Sequence, residues 1–257
     1  MISLEQRLTE RRDAGKKLLV PYITGGVRDD WLDIVRACVD AGADAIEIGF
    51  PFSDPVMDGP IIQAASVQAL ERGVTPTSLF EELANTSFEV PLAVMTYVNL
   101  VFRHGYDEFA ASMKKAGISG AILPDLPKEA AAEWLVAAKA HDVEPVMLIA
   151  PNTPDDRLQS IVDVSRGFVY TIGMLGVTGE RSELAASASK IGARVKAVAK
   201  IPVLIGIGIS TPDQAAEASR AADGVIVGSA LVRRIMDGES PQQIGEFMAD
   251  LRAGLDR

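Results

Sequence analysis

Cysteine and histidine are nearly missing from this sequence: one cysteine, Cys38, and two histidines, His104 and His141, among 257 residues. A lone thiol rules out an internal disulfide, and three such residues without close spacing argue against a Cys/His metal cluster. Neither histidine has a spaced partner, so both read as structural or exposed. No apolar run approaches the ~20 residues that a membrane-crossing helix needs. The opening Met-Ile-Ser-Leu-Glu-Gln-Arg lacks the charged-then-apolar layout of a signal peptide. A cytoplasmic protein that does not enter membranes is therefore expected. Positive charge is also scarce, with 25 Lys and Arg against 35 Asp and Glu and a net charge of −10. That balance argues against nucleic acid as a partner. It leaves a small phosphate ligand open, because backbone N–H groups bind phosphate without a basic side chain. Linkers, charge blocks and low-complexity segments are missing too, so residues 1–257 read as one domain.

What is present is a globular composition, 48% hydrophobic and 23% charged. Short, continuously apolar runs recur along the chain, ending at Tyr22-Ile23, Ile46-Glu47-Ile48, Leu92–Tyr97, Ala121–Leu123, Glu144–Ile149, Phe168–Thr171, Pro202–Ile205 and Gly224–Val227. Continuous apolarity is the mark of strands buried on both faces. Between them lie helical patterns, at 29–41, 128–141, 155–164, 190–199, 212–221 and 241–255. Leu32, Val35 and Val39 share one face of the first, which Asp29 or Asp30 can cap. The junction of Ala-rich helix end, small-residue turn and buried strand appears at Ala41–Asp44, Lys115–Ile122 and Arg220–Ile226, so an αβ unit is being repeated. Eight such strands in about 250 residues predict a (β/α)8 TIM barrel. Residues 2–14, with Leu4 and Leu8 one turn apart and Gly15 after them, predict an extra N-terminal helix.

Barrels of this kind carry function on the loops after their strands. The most unusual such stretch is 46–63, Ile-Glu-Ile-Gly-Phe-Pro-Phe-Ser-Asp-Pro-Val-Met-Asp-Gly-Pro-Ile-Ile-Gln. Glu47 interrupts an apolar strand, where desolvation raises a carboxyl pKa toward neutrality. The Pro and Gly residues that follow shape a loop which brings a second carboxylate, Asp58. Acid–base chemistry is one reading of this pair. A strand-end Glu47 satisfied by local hydrogen bonds or an Arg, and a turn aspartate bonding its own backbone, is the other. A second constellation is Gly206-Ile207-Gly208-Ile209-Ser210 with Gly228-Ser229, each following one of the last two strands and preceding a helix, at Pro212 and Ala230. These are either tight turns or a phosphate cradle of backbone donors. The polar stretch from Tyr170 to about Ser189 reads as a helix-poor lid. Tyr170 itself is a candidate site residue or a core aromatic with a polar tip.

The 46–63 stretch closely resembles the signature of the tryptophan synthase alpha subunit family. Tyr97-Val98-Asn99-Leu100, Pro124-Asp125-Leu126-Pro127 and Gly176-Val177-Thr178-Gly179 resemble further family segments, in order and over nearly the whole chain. The resemblance implies reversible cleavage of indole-3-glycerol phosphate to indole and D-glyceraldehyde 3-phosphate, in tryptophan biosynthesis. It implies that Glu47 moves the protons and Asp58 stabilises the ring nitrogen. It puts the phosphate on Gly179, Gly206, Gly208, Gly228 and Ser229, the indole between Tyr22, Met95 and Ile207, and Tyr170 near the substrate. No cofactor is implied on this chain. Pyridoxal phosphate belongs to the implied partner, a beta subunit in an alpha2beta2 heterotetramer, with 52–57 or the region of Leu126 and Pro127 as the docking surface. The chain departs from the family pattern at four places. Val27-Arg28 stands where Asp-Pro is common, Met57 where Ala is common, Gly173 where Ser is common, and Ile207 where Phe is common. A free-standing lyase, a non-catalytic phosphate-binding regulatory subunit, and a neighbouring-pathway isomerase or cyclase are the alternatives.

Overall fold

The computed structural model describes residues 2–172 and 181–257, with the backbone alone for 181–188. Residues 173–180 of the expected lid, Gly173 and Gly179 among them, fall outside these residues.

Eight strands, β1 (Leu18–Thr24), β2 (Ile46–Gly49), β3 (Leu92–Met95), β4 (Ile118–Ile122), β5 (Glu144–Ile149), β6 (Val169–Ile172), β7 (Val203–Gly206) and β8 (Gly224–Val227), pair in sequence order into a closed barrel. Every pairing is parallel, and β8 closes on β1 with Leu19 opposite Val225. Among the described residues twelve α-helices accompany them: α1 (Leu4–Asp13), α2 (Trp31–Asp40), α3 (Pro60–Glu71), α4 (Pro76–Ala84), α5 (Val98–His104), α6 (Tyr106–Lys115), α7 (Ala132–Ala140), α8 (Asp155–Val162), α9 (Arg181–Lys196), α10 (Pro212–Ser219), α11 (Ser229–Met236) and α12 (Pro241–Leu255). The expected (β/α)8 barrel with an N-terminal helix is the observed fold.

Side-chain alternation divides each strand between two cores. Leu19, Ile23, Ile46, Ile48, Val203 and Val225 face outward and pack under the helices. Leu18, Val20, Ala93, Ile122, Val146 and Ile226 face inward and fill the barrel with Leu4 and Leu8 of α1. Helix α1 therefore closes the N-terminal end of the barrel. Its first turn is held by the Glu144 carboxylate, which accepts from Ser3 Oγ at 2.7 Å, Leu4 N at 3.1 Å and Glu5 N at 2.7 Å. A carboxylate at a helix N-terminus satisfies free donors and meets the positive end of the dipole. With one end plugged, a ligand has access only at the other, where the strands end.

Several local expectations are corrected. In α2 the buried face is Trp31, Ile34, Val35 and Cys38, while Leu32 and Val39 are only half-buried. Leu32 and Val39 still pack against that core at its edge, and Trp31 extends the buried face, its Nε1 donating to Glu82 at 2.8 Å. Neither aspartate caps that helix with its side chain. Asp30 is occupied by Arg28, and Asp29 by Arg72. The 128–141 pattern splits into a 3-10 turn at Lys128–Ala130 and α7, because Ala130 N bonds back to Pro127 O and tightens the first turn. Helix α9 starts at Arg181, inside the stretch read as helix-poor, and ends at Lys196. Its first half is rich in Ala and Ser and shows no bulky apolar stripe to announce it.

Candidate active site

The inward-facing residues of the last strand turns line a cavity of about 450 Å³ at the C-terminal mouth of the barrel. Tyr22, Glu47, Asp58, Met95, Tyr170, Gly206, Ile207, Gly208, Gly228 and Ser229 all border it. Thus every predicted site residue among those described is brought to one place; Gly179 lies outside the described residues. Met57 sits on the rim, and Ile62, Ile122, Pro124, Leu148, Ile172 and Ile226 complete aliphatic walls. A larger groove of about 620 Å³ runs beside Lys17, Arg220 and Arg257 on another part of the surface. Of its charged side chains, Arg257 pairs with Asp213 and the Lys17 amine donates to two backbone carbonyls. Size alone therefore does not select the site; convergence of perturbed groups does.

Glu47 lies on β2 opposite Tyr22 of β1 and Ala93 of β3. It is fully buried, and neither carboxyl oxygen has a hydrogen-bond partner among the described residues. Among these residues, then, Glu47 is not a carboxylate satisfied by its neighbours. Burial, and secondarily the charge of Asp58, push its pKa from 4.5 up to about 8. Asp58 is supplied by the loop between β2 and α3. Its own amide bonds Pro55 O at 3.0 Å, and Gln63 of α3 donates to its carbonyl at 2.9 Å. The carboxyl is pushed up to about 6 by burial, against a lowering hydrogen bond from Tyr97. The two acids thus share a cavity but differ in proton affinity, which assigns them different protonation states near pH 7.

Tyr97, at the head of a segment that resembles the family, makes specific contacts to the Asp58 loop. Its hydroxyl accepts from Met57 N at 2.9 Å and donates to Asp58 Oδ2 at 3.0 Å. Its ring stacks on Phe52, centroids 5.1 Å apart, and the next residue's amide, Val98 N, is held by Asp125 at 2.9 Å. The Asp58 loop is therefore gripped at both backbone and carboxylate by one phenol.

Two glycines make room for the other two phenols. A Cβ on Gly49 would lie 1.9 Å from the Tyr22 hydroxyl, so the Tyr22 ring crosses β2 just beyond Glu47. A Cβ on Gly206 would lie 2.9 Å from the Tyr170 hydroxyl. Burial holds both phenols well above their ordinary pKa, with carboxylate charges adding to it. Both therefore remain neutral donors aimed into the cavity.

Among the described residues no Lys, Arg or His lines this cavity. The anion-binding capacity lies in backbone donors, and the two helix starts expected to provide it differ. At α10, Thr211 and Gln214 form a capping box, and Gln214 Oε1 also accepts from Ser210 N, so its first donors are in use. At α11, Gly228 is the N-cap and no side chain caps the turn. The free donors beside Gly206 and Gly208 are those of α11, which begins one residue earlier than expected, at Ser229.

Leu126, expected on the surface, is buried in the core, while Pro127 is exposed. Val56 and Met57 in the Asp58 loop and Phe102 on α5 are the large apolar side chains exposed near the mouth, at 78%, 54% and 68%.

A closed (β/α)8 barrel whose mouth brings together two acids of different strength and a set of phenol and backbone donors defines a class: barrels with a mouth site suited to acid–base chemistry. The family model described as tryptophan synthase alpha chain matches residues 8–252. The tryptophan synthase alpha chain of Thermobifida fusca is 40% identical over 265 residues, covering 99% of this chain and 98% of that one. That of Methanosarcina acetivorans is 42% identical, covering 97% and 94%. A crystal structure of tryptophan synthase from M. tuberculosis superposes with a TM-score of 0.89 at 36% identity, with 99% of both chains covered. Subunit alpha from Legionella pneumophila gives 0.89 at 32%, covering 100% and 99%. The chain belongs to the tryptophan synthase alpha chain family.

Proposed function

We propose that the chain, as one barrel domain, is a carbon–carbon lyase that reversibly cleaves indole-3-glycerol phosphate to indole and D-glyceraldehyde 3-phosphate. The observation that carries this reading is the pair of acids in one cavity, Glu47 near 8 and Asp58 near 6. Glu47, protonated at neutral pH, delivers its proton to carbon 3 of the indole. The ring becomes an indoleninium, and the ionised Asp58 stabilises its N–H. Glu47, now a carboxylate, takes the proton from the side-chain hydroxyl next to the bond. That bond breaks, its electron pair returns to the ring, and an aldehyde forms. One proton enters at carbon and one leaves from oxygen, so the acid is regenerated. The ring serves as the electron sink, and the reaction calls for no cofactor on this chain.

The phosphate would rest on Gly206, Gly208, Gly228, Ser229 and the free turn of α11, with Gly179 as a further donor. The indole would lie between Tyr22, Met95 and Ile207, against the aliphatic walls. Ile207 offers an aliphatic face where the family commonly has an aromatic one. Tyr170 would donate to the glycerol chain. We read Val56, Met57 and Phe102 as the docking face for a pyridoxal-phosphate beta subunit in an alpha2beta2 assembly, because apolar exposure there flanks the Tyr97 grip on Asp58. As a biosynthetic enzyme the protein would work in the cytoplasm.

The test is indole release from indole-3-glycerol phosphate by the purified chain, with and without a beta subunit. Slow release alone and a large rise with the partner support this reading. Fast release alone moves the assignment to a free-standing lyase. A folded chain that releases no indole in either setting removes the catalytic reading.

A further inference from the structure

The loop after β1 is one of the places where this chain departs from the family pattern, with Val27-Arg28 in place of Asp-Pro. Arg28 is tied in two directions. Its Nε and Nη2 form a fork on the Asp30 carboxylate, at 2.9 and 2.6 Å. Its Nη1 donates to Ile235 O at 3.1 Å and to Glu239 O at 2.7 Å. These carbonyls belong to the last turn of α11 and the turn that follows it. The Ile235 carbonyl also accepts from Gly238 N at 3.1 Å, so the guanidinium adds a second donor there and meets the negative end of the helix dipole.

Helix α11 has eight residues, so its two ends are only about 12 Å apart. Its other end is Gly228-Ser229, the uncapped turn that borders the cavity. A short, rigid helix held at one end cannot slide along its axis without breaking that hold, and at this length even a small pivot is felt at its other end. Glu239 is fixed from a second side as well, because Arg234 bonds its carboxylate at 2.8 and 2.9 Å.

The same loop is tied to α3. Arg72, which caps the C-terminus of α3, donates to Gly26 O at 3.1 Å and contacts the Asp29 carboxylate. Gln68 donates to Val27 O at 2.9 Å, and the Val27 side chain is fully buried. Helix α3 starts at Pro60, two residues after Asp58. One loop thus holds the far ends of two helices whose near ends carry the free donor turn and the Asp58 carboxyl.

We propose that Arg28 is a positioning residue for the phosphate cradle: by clamping the C-terminus of α11 it sets where the Gly228-Ser229 turn stands relative to Asp58. The proposal rests on the cradle reading given above. It separates the ligand's two halves. Loss of Arg28 weakens whatever binds through phosphate and spares whatever binds through the indole walls.

The experiment measures inorganic phosphate as a competitive inhibitor, KM and kcat for indole-3-glycerol phosphate, and KM for free indole in the reverse direction. Arg28→Ala raises the phosphate Ki and the KM for the phosphorylated substrate about tenfold, the scale set by displacing a binding group by a fraction of an ångström. It leaves kcat and the KM for indole within about twofold, a uniform-binding signature. Arg28→Lys, which keeps one carbonyl contact without the fork, falls between. Equal losses for phosphate and indole, or an unchanged phosphate Ki, overturn the proposal. Should the alanine variant not fold, Arg28→Lys and Asp30→Asn carry the test, and no rise in phosphate Ki for either overturns it. A wild-type chain that does not bind phosphate removes the cradle reading, and the role of Arg28 with it.

Discussion

Glu47→Gln separates catalysis from stability in opposite directions. The substitution keeps shape and volume and removes only the titration. In the folded chain this acid keeps its proton to about pH 8, while unfolded glutamate loses it near 4.5. Between those values the folded state binds one more proton than the unfolded state, so stability falls as pH rises. The slope is about 1.4 kcal/mol per pH unit, and the full separation gives a ceiling of roughly 5 kcal/mol above pH 8. Solvent entering the cavity lowers that figure, but the sign and the pH window stay. Glutamine has no such term, and Asp58 remains in both proteins. The variant is therefore expected to match the wild type near pH 4.5 and to become more stable than it through pH 6 and 7. Its advantage levels off above 8. Urea unfolding followed by circular dichroism at pH 5, 7 and 9 gives the difference directly. Turnover is expected to fall by about 10²–10⁴-fold, the contribution of a positioned acid–base group. A stability difference that does not change with pH would refute the burial argument, and near-normal turnover would refute the assignment of the protons to Glu47.

The same two acids predict a bell-shaped kcat/KM profile with limbs near pH 6 and pH 8, since the cleavage direction needs Asp58 ionised and Glu47 protonated. Asp58→Asn should abolish the lower limb and move the upper one down modestly, because the charge of Asp58 is only the second cause of the Glu47 shift; an unmoved upper limb would mean the acids do not sense each other. Tyr97→Phe removes a hydrogen bond that lowers the Asp58 pKa, so the lower limb should move above 6. It also strips Met57 N of its acceptor, at a cost of about 1–3 kcal/mol in chemical denaturation. Leu4→Ala opens a hole in the sealed end of the barrel and should cost about 2–5 kcal/mol in stability with kcat unchanged. A kcat change without a stability loss would contradict the plug assignment.

The eight strands were legible because strands buried on both faces leave continuous apolar runs, and such runs survive in any context. Glu47 was legible for the same reason in reverse, as the one carboxylate interrupting a run. The helix boundaries were weaker signals. Asp30 has the residue type and place of an N-cap, yet it does not cap α2 because Arg28 takes its carboxylate. Arg28 is held there in turn by carbonyls more than 200 positions away. A local preference worth about 1 kcal/mol yields to such a tie, and nothing within a few residues of Asp30 reveals it. The Thr211-x-x-Gln214 spacing is different. It is a capping box visible in the sequence, and it closes the donors that the glycine pattern seemed to leave open.

The site shows the same division between what a residue is and what it faces. Gly49 and Gly206 are each the last residue of a short strand and read most simply as loop glycines or as ligand approach points. In the barrel each is also the clearance for a tyrosine on the preceding strand, Tyr22 for Gly49 and Tyr170 for Gly206. Strand register creates that relation, and register follows from closing the barrel. The same holds for Tyr97, whose partners Met57 and Asp58 lie about 40 positions earlier, on a loop whose path follows from Pro51, Pro55 and Gly59. A phenol at that helix start can do nothing to an acid until the strands are paired in order. Once they are, three phenols surround two carboxyls that no arginine or lysine among the described residues neutralises. Desolvation is left to set their proton affinities, and burial is the larger influence on both. The acid strengths at the mouth of the barrel are thus a consequence of closure more than of any motif.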